Sequence, residues 1–171
     1  HDVGRLESGL PYMLLEHLEG RDLRALLKQR RLSVSEAVGY ALELLDALDE
    51  AHAHQIIHRD LKPANLFLSE RANGSKTLKV LDFGISKQTA TPDEMTLTHA
   101  VIGTPFYMSP EQMRSARTVD HRSDLWSVGV ILYEMLAGRV PFHSESITEI
   151  CGMVFEDTPR ALRELCPGLP P

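Results

Sequence analysis

Residues 58–68 read HRDLKPANLFL, from His58 to Leu68. Arg59, Asp60, Lys62 and Asn65 fall within seven residues of one another, and the run closes on apolar Leu66, Phe67 and Leu68. The stretch decides the fold because the sequence pattern changes across it. Before it, Ser33 with Glu36 three residues later forms a capping-box signal. Ala37, Val38, Ala41, Leu44, Leu45, Leu48 and Ala51 then follow at helical spacing and read as one apolar stripe. That helix is expected to end near His54. After it, LFLS and TLKVLDF are short apolar runs separated by ERANGSK, and Asn73-Gly74 is a strong hairpin signal.

A hairpin brings the start of its first strand beside the end of its second. Asp60, Lys62 and Asn65 lie at the first end, and Asp82, opening the D-F-G that ends the second strand, lies at the other. Hard oxygen donors such as Asp82 and Asn65 suit Mg²⁺, which keeps waters and shares phosphate oxygens. A lysine beside them suits a phosphate as a point charge. An aspartate that binds no metal can accept a proton from an attacking hydroxyl. These are the parts phosphoryl transfer requires. A lone Asp or Asn in a loop is ordinarily a turn former; four such groups at these offsets ask for more than turns.

Farther out, PYMLLEHL, with Gly9 and Pro11 at its start, reads as an edge strand running into a linker at Glu19-Gly20. DLRALLKQ reads as a short helix. Residues 85–110 lack periodicity and are rich in Thr, Ser, Pro and Gly. A loop of that length inside a domain is usually functional or mobile. Asp124 to Ala137 reads as a helix buried on all sides, closed by Gly138. Ser146 to Phe155 reads as a further helix. The apolar run Leu125–Leu136, 12 residues interrupted by Ser127 and Glu134, is too short to span a bilayer.

The 171 residues fit one domain or part of one, with 43% hydrophobic and 25% charged residues. A net charge of −6 argues against general nucleic-acid binding and against a polybasic membrane patch. Cys151 and Cys166 form no CxxC and read as ordinary thiols of a reducing compartment. The first residue is not methionine, and both ends read as cuts through something longer.

HRDLKPAN resembles the catalytic loop of eukaryotic-like protein kinases. Asp82-Phe83-Gly84 is similar to the metal-binding motif that opens their activation segment. Ser109-Pro110-Glu111 matches the closing A-P-E with Ser for Ala, and DLWSVGVILYEML is similar to the family's central helix. The motifs stand in the family's order and cover nearly the whole chain. The resemblance implies an α+β fold, the mainly helical C-terminal lobe of a kinase with a small β-hairpin. Residues 1–20 would be the last small-lobe strands and hinge, and 21–171 a partial large lobe lacking its final helices.

The same resemblance assigns roles. Asp60 would be the base and Lys62 would steady the transferred group. Asn65 and Asp82 would hold Mg²⁺, with Mn²⁺ as an alternative, and the phosphate donor would be ATP. His58 and Phe83 would pack together. Asp124 would hydrogen-bond the catalytic-loop backbone, with a plain helix N-cap as the simpler alternative. LLEHLEGRDL resembles the adenine-binding hinge: Leu15 as gatekeeper, Glu16 and Leu18 pairing through their backbone, Asp22 facing the ribose and Phe67 beneath the base. Plain core packing is the alternative for Leu15 and Phe67. Lys62 two residues after Asp60, with GTPFYMSPE downstream, resembles serine/threonine kinases and has a bacterial flavour. Thr104 would lie near Asp60 and Lys62.

Arg59 precedes the base, where the family often pairs an arginine with a phosphorylated activation loop. A phosphothreonine brings roughly −2 charge and three acceptor oxygens. Thr96 and Thr98 are the expected modification sites, with Lys87 joining the pocket. The alternative is unmodified surface threonines.

The G-x-G-x-x-G loop and the V-A-I-K lysine of the family do not occur in the 171 residues. The parent is therefore expected to phosphorylate serine or threonine in protein substrates, and this chain alone to be nearly inactive. Glu111 would lose the arginine that normally pairs with it. The kinase domain is expected to be cytoplasmic, with membrane attachment of the parent left open. Two other readings stand: a pseudokinase-like scaffold, against which the intact Asp60, Asn65 and Asp82 argue, and a small-molecule phosphotransferase, against which Lys62 and GTPFYMSPE argue.

Overall fold

Ser33 and Glu36 set the start of the longest helix in the computed structural model, which describes residues 2–70, 74–83, 105–115 and 119–169. The Ser33 side chain accepts from the Glu36 N–H and the Glu36 side chain accepts from the Ser33 N–H, so both ends of the capping box are made. The helix runs Val34–Ala53 (α2) and ends at His54, as its sequence implied. The Arg30 guanidinium also grips Glu36 at 2.5 Å and, with the Ser33 bonds, holds this carboxyl down to about 2. The group is depressed in the folded state. Its contribution is therefore complete above the ordinary value of 4.5 and lost as pH falls toward 2. Both partners are substantially exposed, so the effect is modest. Glu36→Ala should lower stability at pH 7 by about 1 kcal/mol and flatten the acid limb of a urea-unfolding series. An unchanged limb would show that the capping box carries no stability.

The buried line of α2 is narrower than the stripe read from sequence. Ala37, Ala41, Leu44, Leu48 and Ala51 are buried, but Val38 is 44% and Leu45 37% exposed. At ~100° per residue, Val34, Val38, Leu42 and Leu45 fall on a line beginning ~60° or more around the helix from the buried set. Nothing among the described residues covers that line.

The hairpin forms as expected. Strand β4 (Leu66–Glu70) pairs antiparallel with β5 (Lys76–Val80), and Gly74 takes a left-handed φ of 78° between them. Leu66 and Leu68 point inward at 0% and 1% exposure, while Phe67 between them is half-buried. β5 stops at Val80, two residues before Asp82, so the strand does not run into D-F-G. The reason is local: the Leu81 N–H leaves the ladder and donates to the Asn65 carbonyl at 2.8 Å.

A third strand, β3 (Gly20–Asp22), pairs with β4 on the other side, giving the order β3-β4-β5. Gly20 is required there. Its φ is 143°, and a Cβ would stand 2.0 Å from the Leu68 carbonyl oxygen. The edge strand read from PYMLLEHL is confined to β2 (Pro11–Leu14), which pairs with β1 (Asp2–Arg5) in a separate two-stranded sheet. Asp22 leads into α1 (Leu23–Gln29), its carboxylate accepting from the Ala25 N–H at 2.7 Å.

Helix α3 (Pro110–Arg114) has its own capping box, Ser109 with Gln112, and proline in its first turn. It begins at Pro110, the last residue of the stretch that reads as a loop. α4 spans Arg122–Ala137 and ends on Gly138 at φ 73°, the left-handed stop expected there. It starts two residues earlier than expected and is not buried all round, since Leu125 is 45% exposed. α5 (Ile147–Glu156) is capped by Ser146, and α6 (Leu162–Leu165) follows. The main core joins α1, α2, α4 and the hairpin through residues such as Leu23, Leu44, Leu66, Leu68 and Ile131. A second cluster sets Phe142, Ile150 and Val154 against Phe106, Met113 and Trp126. No helix among the described residues is long and apolar enough to cross a membrane.

Candidate active site

The loop between α2 and β4 is shaped by a carboxylate from another helix. Asp124, in the first turn of α4, is 1% exposed. One of its oxygens accepts from the Arg59 N–H at 2.9 Å. The other accepts from the His58 N–H at 2.9 Å and from His52 Nε2 at 2.8 Å. The N-cap alternative therefore fails: His121 holds that position, with no side-chain bond, and Asp124 spends its lone pairs on the loop.

These bonds hold a strained backbone. Arg59 has φ 64° and Asp82 φ 54°, in the left-handed region that non-glycine residues enter at a cost of roughly 1–2 kcal/mol. Arg59 is fixed from both sides. Asp124 takes its N–H, and the Gln112 Nε2 donates to its carbonyl at 2.8 Å. Gln112 simultaneously caps α3, so the helix that follows Ser109 is tied to the loop that carries Asp60.

His58 is fully buried and joins the loop to the residues after β5. Its Nδ1 accepts from the Asp60 N–H at 3.3 Å, which leaves Nε2 as the protonated nitrogen donating to the Leu81 carbonyl at 2.9 Å. The Phe83 ring packs on it with centroids 5.0 Å apart, the pairing expected of the two. With Leu81 N–H on the Asn65 carbonyl, residues 81–83 are strapped to the loop, and Asp82 stands exposed next to the strap.

The functional groups converge on this frame. Lys62 Nζ donates to Asp60 Oδ2 at 2.8 Å, with both side chains about three-quarters buried. Asn65 Nδ2 donates to the Asp60 carbonyl at 2.9 Å and lies 3.5 Å from Oδ2. That orientation uses the amide nitrogen and leaves Asn65 Oδ1 without a hydrogen bond among the described residues, available as a metal ligand. A divalent cation that draws most of its ligands from water and phosphate needs only such an oxygen and the exposed Asp82 carboxylate, so the residues fit Mg²⁺.

The hinge residues are placed less tightly. Leu15 is 68% exposed and packs into neither core among the described residues. Leu18 and Phe67 are half-buried, and Glu16 pairs with Lys79 at 2.5 Å at the surface. Phe67 sits across from Asp22 in the sheet, and Asp22 commits one carboxylate oxygen to capping α1. Gly84, Lys87, Thr96, Thr98 and Thr104 lie outside the described residues. The Arg59 Nε is buried with no hydrogen-bond partner among the described residues.

Glu111 has a partner other than arginine: it accepts a short hydrogen bond from the Ser123 hydroxyl. Burial works to raise this carboxyl, but the bonds from Ser123 and from its own helix outweigh it and leave it below the usual range. Three contacts in the site have no signal in the sequence: His52 on Asp124, Gln112 on Arg59, and the Tyr107 hydroxyl on Glu134 at 2.6 Å. The Ser109–Gln112 spacing announces a capping box, but not what Gln112 reaches.

Comparison with known proteins bears on the same stretch. The protein kinase domain model matches residues 7–164. The serine/threonine-protein kinase pkn3 of Myxococcus xanthus is 46% identical over 149 residues, covering 85% of this chain and 27% of that protein. A probable serine/threonine-protein kinase PknB of Bifidobacterium longum is 42% identical over 172 residues (96% and 24%), and the PknB of Mycolicibacterium smegmatis 41% over 151 (85% and 23%). The chain thus spans about a quarter of the length of these relatives. With the catalytic-loop geometry in place and the family's domain matching along most of its length, the chain belongs to the protein kinase family.

Proposed function

We propose that the protein carrying this chain transfers phosphate from Mg-ATP to serine or threonine hydroxyls of protein substrates. The observation that carries the reading is the Asp60 carboxylate, held by Lys62 at 2.8 Å and flanked by Asn65, at the open end of a strained and fully braced loop. Asp60 takes the acceptor hydroxyl within hydrogen-bond reach, orients it and receives its proton. Lys62, already on Asp60, stands where the transferred group's charge develops. Asn65 Oδ1 and Asp82 would hold Mg²⁺, which would neutralise charge on the phosphoryl group that ATP donates. His58 and Asp124 keep these groups in position without touching the reactants.

The rest of the site follows from the same reading. Residues 1–20 serve as the last small-lobe strands and hinge, with Leu15, Glu16, Leu18, Asp22 and Phe67 around the nucleotide. Residues 21–171 form part of the large lobe. Arg59, with a buried Nε lacking a partner among the described residues, suits a phosphothreonine at Thr98 or Thr96, with Lys87 beside it. Thr104 selects the hydroxyl. The 171 residues alone transfer phosphate poorly, since they contain no G-x-G-x-x-G motif to cover the phosphates. The kinase domain works in the cytoplasm.

The test is radiolabelled phosphate transfer from ATP to a serine/threonine peptide by the full gene product, titrated with Mg²⁺. Asp82→Asn should raise the Mg²⁺ concentration needed for half-maximal rate at least about tenfold. An unchanged Mg²⁺ requirement would remove Asp82 from the metal site.

A further inference from the structure

Beside Lys62 and Pro63 lies an open groove of about 520 Å³, walled by α1, the turn at Phe106-Tyr107 and the C-terminal end of α4. Its rim is basic. Arg24 and Lys28 project from α1 and are exposed, and Arg139 and His143, also exposed, stand across from them beyond Gly138. His143 is held by stacking on Phe106, with centroids 5.1 Å apart and planes at 16°. Neither Lys28 nor Arg139 forms an ion pair with a carboxylate among the described residues.

One carboxylate, Glu134, lines the groove, and it is already engaged. It accepts from the Tyr107 hydroxyl at 2.6 Å, and Arg24 is the charged neighbour acting on it. Burial weakens its charge further, pushing its proton affinity up. Three fixed cations against one occupied and partly buried carboxylate leave the groove positive, in a chain whose overall charge is −6. Lys62, which also lines the groove, connects this positive strip directly to the Asp60 carboxylate.

We propose that this groove is a substrate subsite for acidic residues flanking the phosphoacceptor, so that the enzyme favours serine or threonine with aspartate or glutamate on one side. The proposal rests on the kinase reading above and deepens it. An extended peptide whose hydroxyl meets Asp60 advances about 3.3 Å per residue. A few residues therefore carry it from Lys62 past Arg24, Lys28 and Arg139. A carboxylate there gains attraction from several cations, and a lysine meets like charge and an engaged Glu134. The overall negative charge of the chain disfavours nucleic acid as the occupant.

The experiment uses the full gene product and a panel of peptides with one threonine acceptor and Glu, Ala or Lys at each position on either side. Glu should exceed Lys in kcat/KM by roughly tenfold on one side of the acceptor, mostly through KM, and the advantage should shrink as salt rises. The combined variant R24E/K28E/R139E should reverse the ratio, and because a ratio is read, a general loss of activity does not mask the result. Equal kcat/KM for Glu and Lys on both sides, or a preference for Lys, overturns the proposal and leaves the kinase reading standing. Transfer to no peptide at all overturns both.

Discussion

Asp60→Asn should lower kcat of the full gene product by about 10²–10⁴-fold while changing the ATP concentration dependence little. Asparagine matches aspartate in size and still accepts from Lys62 Nζ, so the loop keeps its shape. What it removes is the carboxylate that orients the acceptor hydroxyl and takes its proton, together with the negative charge paired with Lys62 at 2.8 Å. The loss should therefore fall on the chemical step. Steady-state and single-turnover kinetics on one peptide would measure it. A kcat within a factor of a few of the parent would mean that another group supplies the base, and Asp60 would be left as a loop residue.

The second large effect is on stability. Asp124→Ala strands three donors at once: the N–H groups of His58 and Arg59, and His52 Nε2. Each buried donor left without an acceptor costs about 1–3 kcal/mol, and neighbouring losses are not additive, so a total of about 3–5 kcal/mol is expected. The strain at Arg59, φ 64°, would then be restrained only by Gln112. Activity should fall with stability, because Asp60 sits one residue after Arg59. Asp124→Asn should do less damage. One oxygen still accepts, while its amide N–H groups face donors instead of lone pairs facing them. Urea unfolding of the three proteins gives the order: parent, Asn variant, Ala variant. An Ala variant as stable as the parent would show that Asp124 does not organise the loop.

The sequence made some of this legible and left the rest hidden for identifiable reasons. HRDLKPAN, the hairpin after it and the left-handed stop at Gly138 are local signals. Spacing, turn chemistry and one glycine conformation decide them, and the structure carries them all. The capping box at Ser33 is of the same kind. Contacts between distant segments have no such signal. His52 reaches Asp124 across 72 residues, and Gln112 reaches Arg59 across 53. Each looks in sequence like an ordinary polar residue on a helix.

The errors have physical causes too. Val38 and Leu45 obey helical spacing but sit off the buried line, because a seven-residue list at 3.6 periodicity tolerates a stripe wider than the packed contact. Leu125, in the first turn of α4, is exposed although the helix reads as buried on all sides. The expectation that Glu111 lacks its arginine gave no sign of the partner it does have, the Ser123 hydroxyl in the first turn of α4.

The most direct measurement is phosphoamino-acid analysis of a protein substrate labelled by the full gene product with radioactive ATP and Mg²⁺. Label on serine and threonine, lost with Asp60→Asn and with chelation of the metal, is the result the site geometry predicts. Label on tyrosine alone, or the same serine and threonine label from Asp60→Asn, would contradict it.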